Sequence, residues 1–216
     1  MKKIIVIALL SCLVLGAAFA EGLKVGANAG YGSLSLGMFS KDTADSYLLI
    51  SENGFYGEAS LEFDASESLG LKAAFGVLAP SKAYLTVRNG SDDKAETEEI
   101  PADEMDTMGL ELKPIFTGYL GLQFNAELAK TLSLGFGAGL DLYFGGEGDD
   151  FNLAIGAGAE ATASFNLSES LSLNVGGKFG YYFYNTDSSM KESAETLNCD
   201  FRSFSWKAYA GATIAL

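Results

Sequence analysis

The sequence predicts an all-β fold, an eight-stranded antiparallel up-and-down barrel, from three observations. Apolar and small polar residues alternate with period two over long runs. The connections between these runs are short and long by turns. One phrase recurs at the short connections: "FDASESLGLK" at 63–72, "FNAELAKTLSLG" at 124–135 and "FNLSESLSLN" at 165–174. A strand turns successive side chains to opposite faces, so period two marks a two-faced strand, and helical spacing fits none of these runs.

The first strand alternates Leu23, Val25, Ala27, Ala29 and Tyr31 with Lys24, Gly26, Asn28 and Gly30. Its phase slips near Ser33, where Leu34, Leu36 and Met38 take over, which predicts a bulge. The second runs through Phe55, Ala59, Leu61 and Phe63, and the third through Leu69, Leu71, Ala73, Phe75 and Val77. The fourth carries Phe116, Leu120, Leu122 and Phe124, and the fifth Leu132 to Phe144 on even positions. The sixth carries Phe151 to Phe165 on odd positions, and the seventh Leu171, Leu173, Val175, Phe179, Tyr181 and Phe183. The eighth ends the chain with Phe204, Trp206, Ala208, Ala210, Ala212, Ile214 and Leu216. Each strand is predicted at about 10 to 15 residues, longer than the common strand of globular proteins. Segments 64–68, 125–131 and 166–170 are the tight turns; 39–53, 79–114, 145–150 and 185–201 are the connections at the other end. Eight such strands can close and remove both sheet edges.

The N-terminus reads "MKKIIVIALLSCLVLGAAFAEG". Two lysines, an apolar run and Ala18-Phe19-Ala20 make a secretory signal, residues 1–20, cleaved after Ala20, leaving residues 21–216 as one barrel domain. "LLSC" before Cys12 also resembles a lipoprotein box, but the apolar run continues past it to the A-x-A site. Loss of Lys2 and Lys3 takes the formal net charge from −14 to −16. A chain this acidic is a poor match for nucleic-acid phosphates. Cys199 is then the single cysteine, so no intrachain disulfide forms.

Alternation alone does not say which row is inside. The row of Gly, Ser, Asn and Thr is too poor in charge for a water-facing wall, and glycine there packs nothing. Inside a narrow barrel small residues make room for bulky ones, and Lys24, Glu58, Glu62, Lys72, Glu160, Lys178 and Lys207 form candidate interior ion pairs. Aromatics gather at the strand ends. Phe63, Phe124 and Phe165 precede the tight turns, with Phe144, Phe151, Phe183 and Trp206 at the opposite ends, as two lipid-facing girdles would require. The barrel is therefore read as transmembrane. Trp206 stands ten residues before Leu216, about 25 Å higher at ~3.3 Å per residue and a tilt near 40°.

These features resemble the small bacterial outer-membrane barrels, the family of the OmpA transmembrane domain, OmpX and the opacity-type surface proteins. The resemblance covers nearly all of 21–216. It implies the bacterial outer membrane as location, with outer-membrane lipids and the barrel-assembly machinery as partners. In the family the last strand often ends in an aromatic that the machinery reads; here "WKAYAGATIAL" ends in Leu216.

The chain holds no histidine, so Ser-His and Asp-His catalysis and His-containing zinc sites are absent. Glu58 and Glu62, four apart on one strand face, read as ion-pairing groups rather than an acid–base pair. No catalytic residue and no cofactor is expected. The acidic segment "GSDDKAETEEIPADEMD" offers Asp92, Asp93, Glu96, Glu98 and Glu99 as weak candidates for a divalent cation, without EF-hand spacing. Three functions follow: a non-enzymatic surface-interaction barrel meeting an extracellular ligand or cell-surface partner through loops 39–53, 79–114 and 185–201; a narrow channel for small solutes; or a soluble periplasmic lipocalin-like barrel with its apolar row inside.

Overall fold

The computed structural model describes residues 22–43, 45–66, 68–90, 94–108, 111–145, 152–186 and 188–216. The signal segment, Asp92, Asp93 and Phe151 lie outside them, as does "EGDD" at 147–150. The described strands are β1 Leu23–Ser40, β2 Tyr47–Asp64, β3 Leu69–Arg88, β4 Glu96–Glu99, β5 Ile115–Ala129, β6 Leu132–Gly145, β7 Asn152–Asn166, β8 Leu171–Asn185 and β9 Cys199–Ala215. Two short helices join them, α1 Ala102–Met108 after β4 and α2 Ser188–Thr196 before β9.

Eight of the strands form a ring. Each pairs antiparallel with its neighbours, and β1 pairs β9 from Lys24↔Ala215 to Ser40↔Cys199, which closes the sheet. Closure satisfies every ladder without an edge, the condition for a sheet that meets lipid. The small β4 stands outside the ring, paired with the far end of β3 from Tyr84↔Glu99 to Val87↔Glu96.

The strands run longer than their alternation predicts. Segments 47–53 and 79–88, read as loop, continue the β2–β3 ladder to Tyr47↔Arg88. They escape a period-two reading because "YLLISEN" and "PSKAYLTVR" do not alternate cleanly. Pro80 cannot donate a backbone hydrogen bond, and the ladder shifts register between Asn53 and Gly54 opposite it. The bulge expected near Ser33 is absent: β1 pairs β2 without a shift from Leu23↔Phe63 to Phe39↔Tyr47. The sequence changes phase there because the inward row changes character. Leu34 is buried and Leu36 packs beside it on the face that carries Gly26 and Asn28 lower down.

The repeated phrase resolves into two geometries. In "FDASESL" the Ser66 hydroxyl accepts from the Leu69 N–H at 3.1 Å, and the Ala65 and Ser66 N–H groups donate to the Leu69 carbonyl. In "FNLSESL" Ser168 and Leu171 repeat the same hydroxyl contact, also at 3.1 Å, and the Leu167 and Ser168 N–H groups donate to the Leu171 carbonyl. These are serine-stabilised turns. The third copy turns at Lys130 and Thr131 instead, with a register shift between Glu127 and Ala129.

Candidate functional site: the barrel interior and its outer wall

The polar row faces in and the apolar row faces out. Phe55 is 71 % exposed, Leu122 53 % and Phe183 67 %, whereas Lys178 is 3 % and Glu160 4 % exposed. A soluble barrel needs the reverse, so the lipocalin-like reading fails on this geometry. Phe124, Phe165, Phe183 and Trp206 are exposed on the outer wall; Phe63 and Phe144 are half-buried there. The aromatics pack on one another along that wall. Tyr31 meets the Phe55 ring edge-on at 6.1 Å and lies 6.4 Å from Trp206, and Phe116 stacks on Phe144 at 5.5 Å.

Inside, the sequence-predicted charges come together. Lys72 bridges Glu160 at 2.7 Å and Glu62 at 3.2 Å. Lys178 bonds Glu58 at 2.6 Å. Lys207 lies 3.6 Å from Asp141, a partner the alternation does not single out. Lys24 stands apart at the short-turn rim, where it pairs with Asp64 at 2.8 Å and both are a third exposed. Glu58 and Glu62 each hold a lysine, as ion pairing requires. Ions can be buried here only because each finds a counter-ion: an isolated charge in low dielectric would cost several kcal/mol.

Tyrosines complete the network. Tyr56 donates to Glu58 and Tyr209 to Glu160; Tyr182 donates to Asp141 at 3.0 Å. The Lys178 ammonium lies 4.6 Å from the centre of the Tyr119 ring, and that of Lys207 5.4 Å from Tyr56. Glycines in the inward row make room for these rings. A Cβ at Gly121 or Gly158 would press on Tyr119, one at Gly76 on Tyr56, and one at Gly176 on Tyr209. The tyrosines occupy inward positions of the alternation; Tyr56 finds its partner two residues on, but Tyr182 and Tyr209 reach other strands, Asp141 41 and Glu160 49 residues away.

Leu34, Tyr56, Leu78, Ile115, Tyr143, Ala154, Tyr182 and Tyr209 form a buried cluster along the interior. Tyr143 meets Tyr182 edge-on at 4.9 Å and accepts from Asn185 at 2.5 Å. Toward the short turns the interior opens into a polar chamber of about 500 Å³, lined by residues such as Lys72, Gln123, Asn125, Thr162, Asn174 and Tyr209.

At the long-loop end, Glu96, Glu98 and Glu99 lie along β4 and are exposed. Glu99 pairs with Lys82 at 2.8 Å and Thr97 bonds Thr86, so Glu99 serves the β3–β4 ladder. Among the described residues no three potential metal-ligating side chains converge. Cys199 starts β9, and its thiol contacts the Leu197 carbonyl at 3.4 Å. The helices of this end are short; in α2, Ala194 is fully covered.

No protein-family model matches the sequence, and no curated protein matches it. Solved structures match its fold. Neisserial surface protein A aligns over 90 % of this chain and 97 % of its own, at 14 % identity and a TM-score of 0.55. A major outer-membrane protein of Thermus thermophilus aligns over 87 % and 99 %, at 16 % identity and 0.46. The N-terminal β-barrel domain of Pseudomonas aeruginosa OprF aligns over 91 % and 98 %, at 9 % identity and 0.46. The closed ring, inverted polarity and first of these likenesses define the class: an eight-stranded antiparallel β-barrel with the fold of the small bacterial outer-membrane proteins.

Proposed function

We propose that this chain is an exported, non-enzymatic integral protein of the bacterial outer membrane. In this reading it is inserted by the barrel-assembly machinery and acts as a scaffold presenting its acidic long-loop end to a ligand or partner outside the cell. One observation carries the membrane reading: large apolar side chains are exposed around a closed ring while the lysines and carboxylates of its inner face are paired inside. Only a hydrocarbon solvent makes that arrangement favourable, since each apolar Å² left in water forgoes roughly 25 cal/mol.

The non-conducting scaffold is favoured over a narrow channel by the packed ions and tyrosines above the chamber, which fill the width that eight strands allow. For the contact surface, the β2–β3–β4 extension carries Glu96, Glu98 and Glu99 exposed on its outermost strand. These residues face solvent rather than the wall, as an interaction surface must. Localisation is tested by separating inner and outer membranes from cells expressing the full gene and assaying heat-modifiable gel mobility. Recovery in the outer-membrane fraction as a folded, fast-migrating band is expected; a soluble periplasmic protein would end the reading. The surface role is tested by deleting residues 91–99 and measuring adhesion of whole cells. Reduced adhesion with unchanged outer-membrane abundance is expected.

A further inference from the structure

The barrel interior is filled unevenly along its axis. Above the chamber, the rings of Tyr56, Tyr143 and Tyr182 and the pairs Lys178–Glu58 and Lys207–Asp141 take up the width. Toward the short turns the inward row changes to short hydroxyl and amide side chains, and about 500 Å³ stays open. Eight strands enclose just enough room for packed side chains or for one small ligand. This barrel does the first in its upper part and leaves space for the second below. The volume lies within the roughly 300–1,000 Å³ of small-molecule sites.

The lining sets the chemistry. Thirteen of its twenty-one residues carry a hydroxyl or a side-chain amide and Ala215 is its one aliphatic member, so an apolar solute finds no matching surface. One ladder row places Ser133, Ser164 and Asn174 side by side on β6, β7 and β8, about 4.8 Å from strand to strand. The next row carries Asn125 and Thr162 on either side of Gly135. Among the described residues, the half-buried side chains of Asn125, Ser133 and Ser164 hold no protein hydrogen-bond partner, which leaves them to a solute. The ions of the lining are matched already: Lys24 with Asp64 at 2.8 Å, and Lys72 with Glu62 at 3.2 Å and Glu160 at 2.7 Å. Glu127, Lys130 and Glu169 are exposed at the mouth. The body of the chamber therefore suits a neutral solute.

We propose that the chamber binds a neutral polyhydroxylated solute, a mono- or disaccharide, along the wall of Ser133, Ser164 and Asn174. The solute enters from the short-turn side. A sugar hydroxyl both donates and accepts, as the hydroxyl and amide groups of this wall do. Each hydroxyl therefore replaces a water bond for bond, which an apolar solute cannot do. Part of the wall is held in place beforehand. Asn174 donates to Thr213 at 2.6 Å, and Thr162 and Tyr209 share a hydrogen bond at 2.9 Å, so binding orders few side chains. The site needs only the barrel and does not depend on the long loops.

The test uses the protein purified from membranes in a sugar-free detergent, with heat-modifiable mobility confirming the fold. Maltose and N-acetylglucosamine are titrated while the Asn125 and Asn174 side-chain amides are followed by NMR, with hexanol as the apolar probe. Saturable shifts with at least one sugar and none with hexanol are expected. Ser164→Leu, which sets an apolar side chain in the middle of the row, should weaken sugar binding about tenfold or more. Ser133→Val should do the same and serves if the first variant does not fold. No saturable shift with either sugar, equal shifts with hexanol, or sugar binding unchanged in a folded variant would overturn the proposal. A folded barrel that takes up no sugar leaves the membrane reading standing, whereas a protein recovered soluble would fail that reading by itself.

Discussion

Lys178 and Glu58, 120 residues apart in sequence, meet at 2.6 Å with both side chains almost fully buried. They lie on β8 and β2, which are not neighbours in the ring. The ion pair therefore reaches across the interior between strands three places apart in the ring. Glu58→Ala leaves Lys178 buried without its carboxylate and should destabilise the barrel by about 3–5 kcal/mol. Replacing both, Glu58→Met with Lys178→Met, should recover most of that loss. Urea unfolding in lipid vesicles, followed by tryptophan fluorescence, measures both; a single variant as stable as the parent would show the pair to be dispensable.

The glycines of the inward and outward rows differ in the space around them, as Gly30 on the inward row and exposed Gly57 on the outward row show. A Cβ at Gly30 would overlap the Ala208 carbonyl oxygen and crowd Tyr209 Cα across the β1–β9 seam, whereas one at Gly57 meets nothing within 4 Å. Gly30→Val should therefore sharply reduce the folded band on a heat-modifiability gel. Gly57→Ala should leave it unchanged within about 0.5 kcal/mol. Similar folded fractions for the two variants would contradict this seam geometry.

The interior predicts poor conduction. Above the chamber, Tyr143 and Tyr182 pack edge-on at 4.9 Å, and Tyr182 bonds both Asp141 and Ser205. Planar-bilayer recordings of the parent should show no steady current. Removing both rings, Tyr143→Ala with Tyr182→Ala, should introduce measurable current if the barrel remains folded. A steady current in the parent would favour the solute channel instead.

The two serine turns predict losses of similar size, with Ser168 the larger. Ser66→Ala removes one hydroxyl contact to a backbone N–H, that of Leu69, and Ser168→Ala removes two, those of Leu171 and Ser170. Each should cost about 0.5–1.5 kcal/mol by urea unfolding. The third copy of the phrase turns without this contact, so Thr131→Ala should cost less.

Much of this is legible in the sequence because the barrel's solvent order is written in period two. Leu120, Leu122 and Phe124 alternate with Tyr119, Gly121 and Gln123, and the structure turns the first set out and the second in. Legibility fails where that contrast fades. At Ser33 the inward row turns from glycine and asparagine to Leu34, so an unbroken strand looks slipped. In 47–53 and 79–88 the ladder extends past the regular alternation, so neither face is marked. The interior network is legible as a set of charges but not as pairs. Pairing depends on which side chains face each other across the lumen, as Lys72 and Glu160 do 88 residues apart. Asp141 escapes for the same reason: its partners Lys207 and Tyr182 come from other strands.

Trp206, the single tryptophan, gives the most direct measurement of the outward apolar face. It is 42 % exposed on the outer wall beside Tyr31, opposite Ser33 and Phe179 in the ladders. The protein is reconstituted in vesicles, and its fluorescence is quenched by lipids brominated at graded depths. Strong quenching by bromolipids, greatest near the headgroups, with little effect of aqueous iodide, is the predicted result. Quenching by iodide alone, or a protein that stays soluble with Trp206 shielded from both, would contradict a barrel that wears its apolar face toward lipid.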